Sequence, residues 1–64
     1  MLEFRTINSQ TAHVRPVTER ALCWLHEKFL GLPWREGHLV IEMRQAQPLI
    51  VLAQAAGIET ANLN

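Results

Sequence analysis

The sequence of 64 residues has little that would cross-link it or anchor it in a membrane. It contains one cysteine, Cys23, so an internal disulfide cannot form, and the class of disulfide-rich secreted mini-proteins is excluded. The N-terminus lacks the apolar segment of a signal peptide, and the longest apolar run, residues 48–53, is far too short to span a membrane. These absences predict a cytoplasmic protein in a reducing compartment, with no membrane contact.

An excess of charge of either sign is also missing. Six Lys and Arg residues balance six Asp and Glu residues, which gives a formal net charge of zero. Dedicated nucleic-acid-binding proteins carry a basic excess that neutralises phosphates, so the composition disfavours that class. A net charge near zero also favours association between copies of a protein.

Motifs typical of catalysis or cofactor binding are absent as well. The three glycines, Gly31, Gly37 and Gly57, are scattered and form no Gly-rich phosphate loop. Cys23 and His26 have the spacing of neighbours on a helix surface and could be interpreted as a nucleophile and its base, but no third group that would orient them is evident. A chain of this length also has little room for a catalytic pocket. We therefore expect no enzymatic activity and no cofactor.

What the sequence does contain is enough apolar material for one core. Hydrophobic residues make up 48% of the chain, which predicts a single small α/β domain over residues 1–64. A domain of this size buries only about 60% of the surface that its unfolded chain exposes, so its stability is marginal. Without disulfides, a metal ion or a second subunit would be the usual source of additional stability.

The N-terminal part predicts strands. Residues 2–7 alternate between apolar and polar side chains, residues 8–11 are polar with turn chemistry, and residues 12–16 alternate again. Two strands of a hairpin fit this pattern, and one longer irregular strand fits it nearly as well. Pro16 cannot donate a ladder hydrogen bond, so it should close the second strand or lie on an edge.

Residues 16–31 predict the central helix. Thr18 is a suitable N-cap, Glu19 suits the positive end of the helix dipole, and Gly31 is the expected residue just after the helix. The apolar side chains that share one face of this helix are Ala21, Leu22, Leu25 and Phe29.

The C-terminal half predicts a strand and then a second helix. Residues 32–37 read as a connecting loop, and residues 38–43 as a strand whose apolar middle suggests cover on both faces or contact with a partner. Residues 45–56 are either a strand or a helix, and we favour a helix with a core face of Leu49, Leu52, Ala53 and Ala56, followed by Gly57. Residues 58–60 suit a short strand, and residues 61–64 a frayed end.

The predicted fold is therefore a small two-layer α+β domain. Its order is ββαβα, or βαβα if the first two strands are one, with both helices on one face of a sheet of two to four strands.

Four side chains are weak candidates for a metal site, which would make the chain a zinc-stabilised domain. They are His13, Cys23, His26 and His38. Tetrahedral zinc needs four such ligands at about 2.0–2.3 Å. The spacing here matches no zinc signature, and Cys23 points away from the apolar stripe of its helix, so we predict no metal.

Surplus apolar surface is the strongest functional signal. On the helical interpretation Ile50 and Val51 point away from the core, and exposed contiguous apolar surface marks an interaction site. Trp34 and Arg35 lie in a predicted loop and belong to the residue types enriched at binding hot spots. These four residues are the predicted partner-binding set, and the partner is another protein, a second copy of the chain, or both.

The alternative prediction is a nucleic-acid-associated regulator. It would use a thin basic patch of Arg5, Arg15 and Arg20, but the aromatic candidate for base stacking, Phe4, alternates onto the opposite face from Arg5. The first interpretation remains a self-associating protein-interaction or regulatory accessory module. Small near-neutral α/β chains of this kind are often accessory proteins in bacteria and phages, which is an association and no deduction.

Overall fold

The computed structural model describes the backbone of residues 1–63 and the side chains of residues 1–62. It contains five strands, two α-helices and a 3₁₀ turn at Met43–Gln45. The elements are β1 (Leu2–Thr6), β2 (Thr11–Pro16), α1 (Glu19–Lys28), β3 (Trp34–Arg35), β4 (His38–Glu42), α2 (Ala46–Ala55) and β5 (Thr60–Leu63). Asn64, the last residue of the predicted frayed end, lies outside the described residues.

The strands form one mixed sheet in the order β3-β4-β2-β1-β5. β1 pairs antiparallel with β2, β2 with β4 and β4 with β3, whereas β5 is parallel to β1. Parallel neighbours need a crossover connection, and α2 supplies it by carrying the chain from β4 past β2 and β1 to the far edge. The order along the chain is thus ββαββαβ. Compared with the predicted order ββαβα, it has one additional strand after α1 and one after α2.

Both helices cover the same face of this sheet, which confirms the two-layer α+β prediction. Alternate residues of β1, β2 and β4 point into a single core, where they meet two residues of each helix and Ile58. The buried side chains are Leu2, Phe4, Ala12, Val14, Ala21, Leu25, Leu39, Ile41, Leu49, Ala53 and Ile58.

The hairpin prediction at the N-terminus is confirmed in its strands and their faces. β1 and β2 pair from Leu2 opposite Pro16 to Thr6 opposite Ala12, and Pro16 closes the second strand. The loop between them is fixed by Asn8, whose side-chain oxygen accepts hydrogen bonds from the backbone N–H groups of Gln10 and Thr11 at 2.8 and 2.9 Å.

Helix α1 begins at the predicted cap but ends earlier than predicted. The Thr18 hydroxyl oxygen accepts the Ala21 N–H at 3.2 Å, and it also accepts the N-terminal ammonium of Met1 at 2.8 Å. The last helical residue is Lys28, although Gly31, with φ of 100°, was the expected stop. Residues 29–31, which were predicted to belong to the end of the helix, therefore lie outside it.

The buried face of α1 is also rotated from the predicted stripe. Ala21 and Leu25 are fully buried, but Leu22 is 39% exposed, and its expected place in the core is wrong. Trp24 is half-buried instead and meets Phe29 edge to face, with ring centroids 5.8 Å apart. Because the large indole of Trp24 packs against the core, the buried face of α1 lies closer to Trp24 than the predicted stripe does.

Residues 32–37 were predicted as a loop but contain strand β3. Trp34 and Arg35 pair with Leu39 and His38 across a two-residue turn. Glu36 and Gly37 form that turn with φ of 50° and 84°, the positive values that a type I′ hairpin turn requires. Glutamate is an uncommon residue at such a position, and for this reason the sequence carries a weak hairpin signal.

Helix α2 confirms the helical interpretation of residues 45–56, and its end has a complete stop. Gly57, with φ of 78°, donates to the Gln54 carbonyl at 3.0 Å, and Ile58 donates to the Ala53 carbonyl at 2.9 Å. This is the Schellman arrangement, in which the residue after the glycine also packs on the helix, and Ile58 is accordingly buried. Leu52, predicted in the core, is 54% exposed.

Strand β5 replaces most of the predicted frayed end. Its residues pair with β1 from Thr60 opposite Leu2 to Leu63 opposite Arg5. The short strand predicted for residues 58–60 thus begins only at Thr60, and it continues through alanine and asparagine, which are poor strand formers. The free ladder groups of β1 impose the extended conformation on it.

We expect the Thr18→Ala variant to lower the free energy of unfolding by about 1 kcal/mol, because the Ala21 N–H loses its capping acceptor. Urea denaturation would measure the change. Thr18→Ser keeps the hydroxyl and should retain most of the stability, so equal losses in the two variants would contradict a capping role.

Candidate functional site

The sheet face opposite the helices carries most of the charged side chains of the strands. Because β-strand residues alternate between faces, the neighbours of the buried residues share this second face. It is called the open face here and comprises Glu3, Arg5, Thr11, His13, Arg15, Arg35, His38, Val40, Glu42 and Ala61. No helix of the described chain packs on it. Of the two interpretations of this strand, cover on both faces is therefore wrong for Val40, and contact with a partner stays a prediction.

Cross-strand pairing brings the charges of the open face together. Arg5 lies opposite His13 in β1 and β2, and Arg35 lies opposite His38 in β3 and β4. Arg15 is opposite Glu3 and forms an ion pair with it at 3.9 Å, a distance at the limit of such a contact. The placement of Arg5 and Arg15 on one solvent-facing side agrees with the alternation of the sequence.

A shallow cavity of about 520 Å³ occupies the middle of the open face. Its floor is the pair His13 and His38, whose rings stack with centroids 4.0 Å apart and an interplanar angle of 26°. Both imidazoles are half-buried. The rim includes guanidinium and carboxylate groups from the surrounding strands and the β3–β4 turn, namely Glu3, Arg5, Arg15 and Glu36.

The electrostatics of the cavity act on His13. Burial in the stack, together with the neighbouring His38, Arg35 and Arg5, lowers the pKa of His13 below its ordinary value of 6.5. The three groups come from β4, β3 and β1, so side chains of three other strands add to the effect of burial on this one ring. An anion bound there would oppose the same effect.

Arg20, the third member of the predicted basic patch, has a different place and role. It lies on α1 in the helix layer, where its guanidinium donates to the Ala56 carbonyl at the end of α2 at 2.9 Å. This bond ties the start of one helix to the end of the other. The open face gains Arg35 instead, which the sequence assigned to a loop.

The four metal candidates form two pairs on opposite sides of the sheet. His13 and His38 stack on the open face, whereas Cys23 and His26 are exposed on α1. The four side chains therefore do not converge on one point. Within the part of the chain that the structure describes, no three His, Cys, Asp or Glu residues are arranged to hold a metal ion.

The predicted partner-binding residues also separate. Trp34 is half-buried and stacks on His26 of α1, with ring centroids 4.5 Å apart and planes within 4°, so it pins β3 under the helix. Arg35 is on the open face. Ile50 packs against the core, and Val51 is 54% exposed on α2 as predicted.

A second concave surface lies between the helices and has an apolar lining. It is a groove of about 380 Å³, called the interhelix groove here. Its lining residues are Lys28, Phe29, Leu30, Leu32, Ile41, Gln45, Pro48, Leu49 and Leu52. Leu49 and Ile41 are buried at the floor, whereas Leu30 and Leu52 are 83% and 54% exposed at the rim. Sequence periodicity could not reveal it, because it joins the end of α1 to the start of α2.

Comparisons of the chain with protein-family models, curated proteins and solved structures found no match. Neither helix among residues 1–63 is long and apolar enough to cross a membrane.

We expect His13 to titrate below 6.5 and His38→Asn to raise its pKa, because the substitution removes a neighbour that buries the His13 ring and lowers that pKa electrostatically. A lowered pKa means that folding disfavours the protonated ring. The contribution to stability is therefore fully present above 6.5 and is lost as the pH falls through the pKa of the folded state. Proton NMR of the His13 ring signals would measure its pKa in the unaltered chain and in the variant. A His13 pKa at or above 6.5 in the unaltered chain would contradict the arrangement of buried and charged groups around this ring.

Proposed function

We propose that the protein is a self-associating protein-interaction module that acts by occupying an apolar surface with its helix layer. The observation that carries the proposal is the interhelix groove with Leu30 on its rim. Leu30 is 83% exposed, more than any other large apolar side chain of the described chain. Water contact with that side chain is unfavourable, and contiguous apolar surface of this kind marks interaction sites.

A second copy of the chain is the occupant that the surface fits best. In a twofold dimer the same patch meets itself, so each protomer must offer both a projection and a recess. Leu30 is the projection, and the groove beside it, with its floor of Ile41 and Leu49, is the recess. One residue placed at the rim of its own groove satisfies this requirement without a separate partner surface.

The electrostatics of the patch are compatible with pairing. The groove lining contains one ionisable side chain, Lys28, beside seven apolar ones. The formal net charge of the chain is zero, so two copies approach without long-range repulsion.

A stable dimer interface would have to extend beyond the interhelix groove itself. An interface of about 600 Å² per protomer, the lower limit for a stable complex, corresponds to roughly one seventh of the 4402 Å² of accessible surface. Burial of each Leu30 side chain would contribute about 1.5–3 kcal/mol before the costs of association. The symmetric pair doubles that contribution.

Binding, and not catalysis, is the proposed activity, and the cytoplasm is the proposed location. The single Cys23 is exposed on α1, where an oxidising compartment would permit disulfides between molecules. A regulatory accessory role, in which the dimer or one protomer covers the surface of a larger protein, is part of the same proposal.

We expect the unaltered protein to pass from monomer to dimer between micromolar and millimolar concentration, and Leu30→Asp to weaken this self-association by about a hundredfold or more. The loss follows because a carboxylate would be placed in an apolar recess in both copies. Sedimentation velocity over a concentration series would measure the equilibrium.

The matched control is Ile7→Asp, which places the same charge on another exposed apolar side chain, 46% exposed in the β1–β2 loop. It should leave the dimer unchanged. Thermal unfolding of both variants would verify that each is folded. A strict monomer at millimolar concentration, or an unaffected Leu30→Asp dimer, would disprove the proposed self-association.

A further inference from the structure

The open face has features that the proposed self-association does not use. The interhelix groove lies in the helix layer, and the open face is on the other side of the sheet. Its cavity of about 520 Å³ is lined by the two stacked imidazoles and by Arg5 and Arg15, and Arg35 lies beside it, opposite His38 in the sheet register. A face left in water needs polar residues, but it does not need rings stacked at its centre or arginines converging from three strands.

Two of these arginines are available for an anion. Arg15 is engaged with Glu3, whereas among the described residues neither Arg5 nor Arg35 forms an ion pair. Both are exposed, and both act electrostatically on His13 between them. A guanidinium group binds phosphate with two parallel N–H donors, which makes arginine the preferred partner of a phosphate oxygen pair.

The stacked histidines add aromatic rings next to the arginines. His13 and His38 are half-buried, with ring centroids 4.0 Å apart, so the stack is held in place from both strands. Unpaired bases bind proteins by stacking on aromatic rings, histidine included, and on arginine planes. Arg5 therefore lines the same cavity as the two histidines, and Arg35 adjoins that cavity through His38.

We propose that the open face binds a nucleotide, with its phosphate at Arg5 and Arg35 and its base against the pair His13–His38. The unit comes either from a single strand of nucleic acid or from a free nucleotide, since both present the same phosphate and base. A duplex is disfavoured because its bases are already stacked on each other and hide their faces.

The carboxylates of the cavity sharpen this assignment. Glu3 and Glu36 line it together with the cations, and they repel an anion that carries many charges and no other groups. A base offers N–H donors that a carboxylate accepts. A nucleotide satisfies both kinds of group, whereas inorganic polyphosphate satisfies only the cations.

The test is fluorescence anisotropy of a labelled single-stranded RNA of about ten nucleotides, a length within the span of known single-strand sites. The unlabelled competitors are the same strand as DNA, its duplex, a nucleoside monophosphate and tripolyphosphate. Binding should weaken with salt, with a slope of about −0.7 in log K against log salt for each phosphate contact. The single strands or the monophosphate should compete, and the duplex and tripolyphosphate should compete at least about tenfold less well.

Three variants locate the site. Arg5→Gln and Arg35→Gln should each weaken binding about tenfold and reduce the salt slope by one contact. His38→Asn should weaken RNA binding about fivefold or more and leave any residual tripolyphosphate binding unchanged, because it removes stacking and no permanent charge. Arg20→Gln, which removes one positive charge from the helix layer outside the interhelix groove, is the control and should bind as the unaltered chain does.

The competitors also decide the source of the nucleotide. Stronger competition by the strand assigns the site to single-stranded nucleic acid, and stronger competition by the monophosphate assigns it to a free nucleotide. No binding by RNA or monophosphate at low salt, equal binding of tripolyphosphate, or an equal effect of Arg20→Gln and Arg5→Gln would overturn the proposal. None of these outcomes bears on the dimer, because Leu30 lies on the other side of the sheet.

Discussion

The structure depends on the fact that its helices can cover only one face of its sheet. α1 and α2 have ten residues each, and both lie over the side that carries Leu2, Phe4, Val14 and Leu39. The core between these layers is continuous, and apolar burial there is the main source of stability. The second face of the sheet has to remain in water, so its side chains must be compatible with solvent. The strict alternation of β1 and β2 meets this requirement, and it is also what collects the arginines and histidines on one surface.

Helix caps and strand ends could be predicted from the sequence, because interactions between neighbouring residues determine them. Thr18 caps α1, Gly57 ends α2 and Pro16 closes β2, and each of these roles follows from the residue type and its immediate neighbours. Strand β3 has no such signal, and the strand predicted for residues 58–60 shares only Thr60 with β5. β3 depends on a turn with glutamate at positive φ, and β5 consists of residues with weak strand preference that pair with a strand far away in the chain. Pairing partners, and not local propensity, determine these two edges of the sheet.

The candidate sites divide in the same way. The side of the sheet that carries Arg5, His13 and Arg15 follows from alternation within one hairpin, and the sequence alone predicts it. Arg35 and His38 join that side only because β4 pairs with β2 and β3 pairs with β4, a register that no local pattern specifies. Similarly, the helical periodicity correctly predicts that Val51 is exposed, but it wrongly predicts that Leu22 and Leu52 are in the core. The rotation of a helix about its axis is determined by its largest contacts, here Trp24 on α1, so residues at the edge of an apolar stripe are the ones misplaced.

The separation of charge explains how a chain without net charge can present a cationic surface. The six basic and six acidic residues cancel in the total, but a ligand responds to the charges within about a Debye length, roughly 8–10 Å at moderate salt. Arg44 is paired with Glu42 at 2.8 Å, and Arg20 serves the end of α2, so these side chains contribute little to the field over His13. Arg5 and Arg35 have no such engagement among the described residues, and they flank the histidine stack. A twofold dimer formed through Leu30 would turn both open faces outward, so association of the helix layers would leave each cavity accessible and would double the number of sites that one strand can contact.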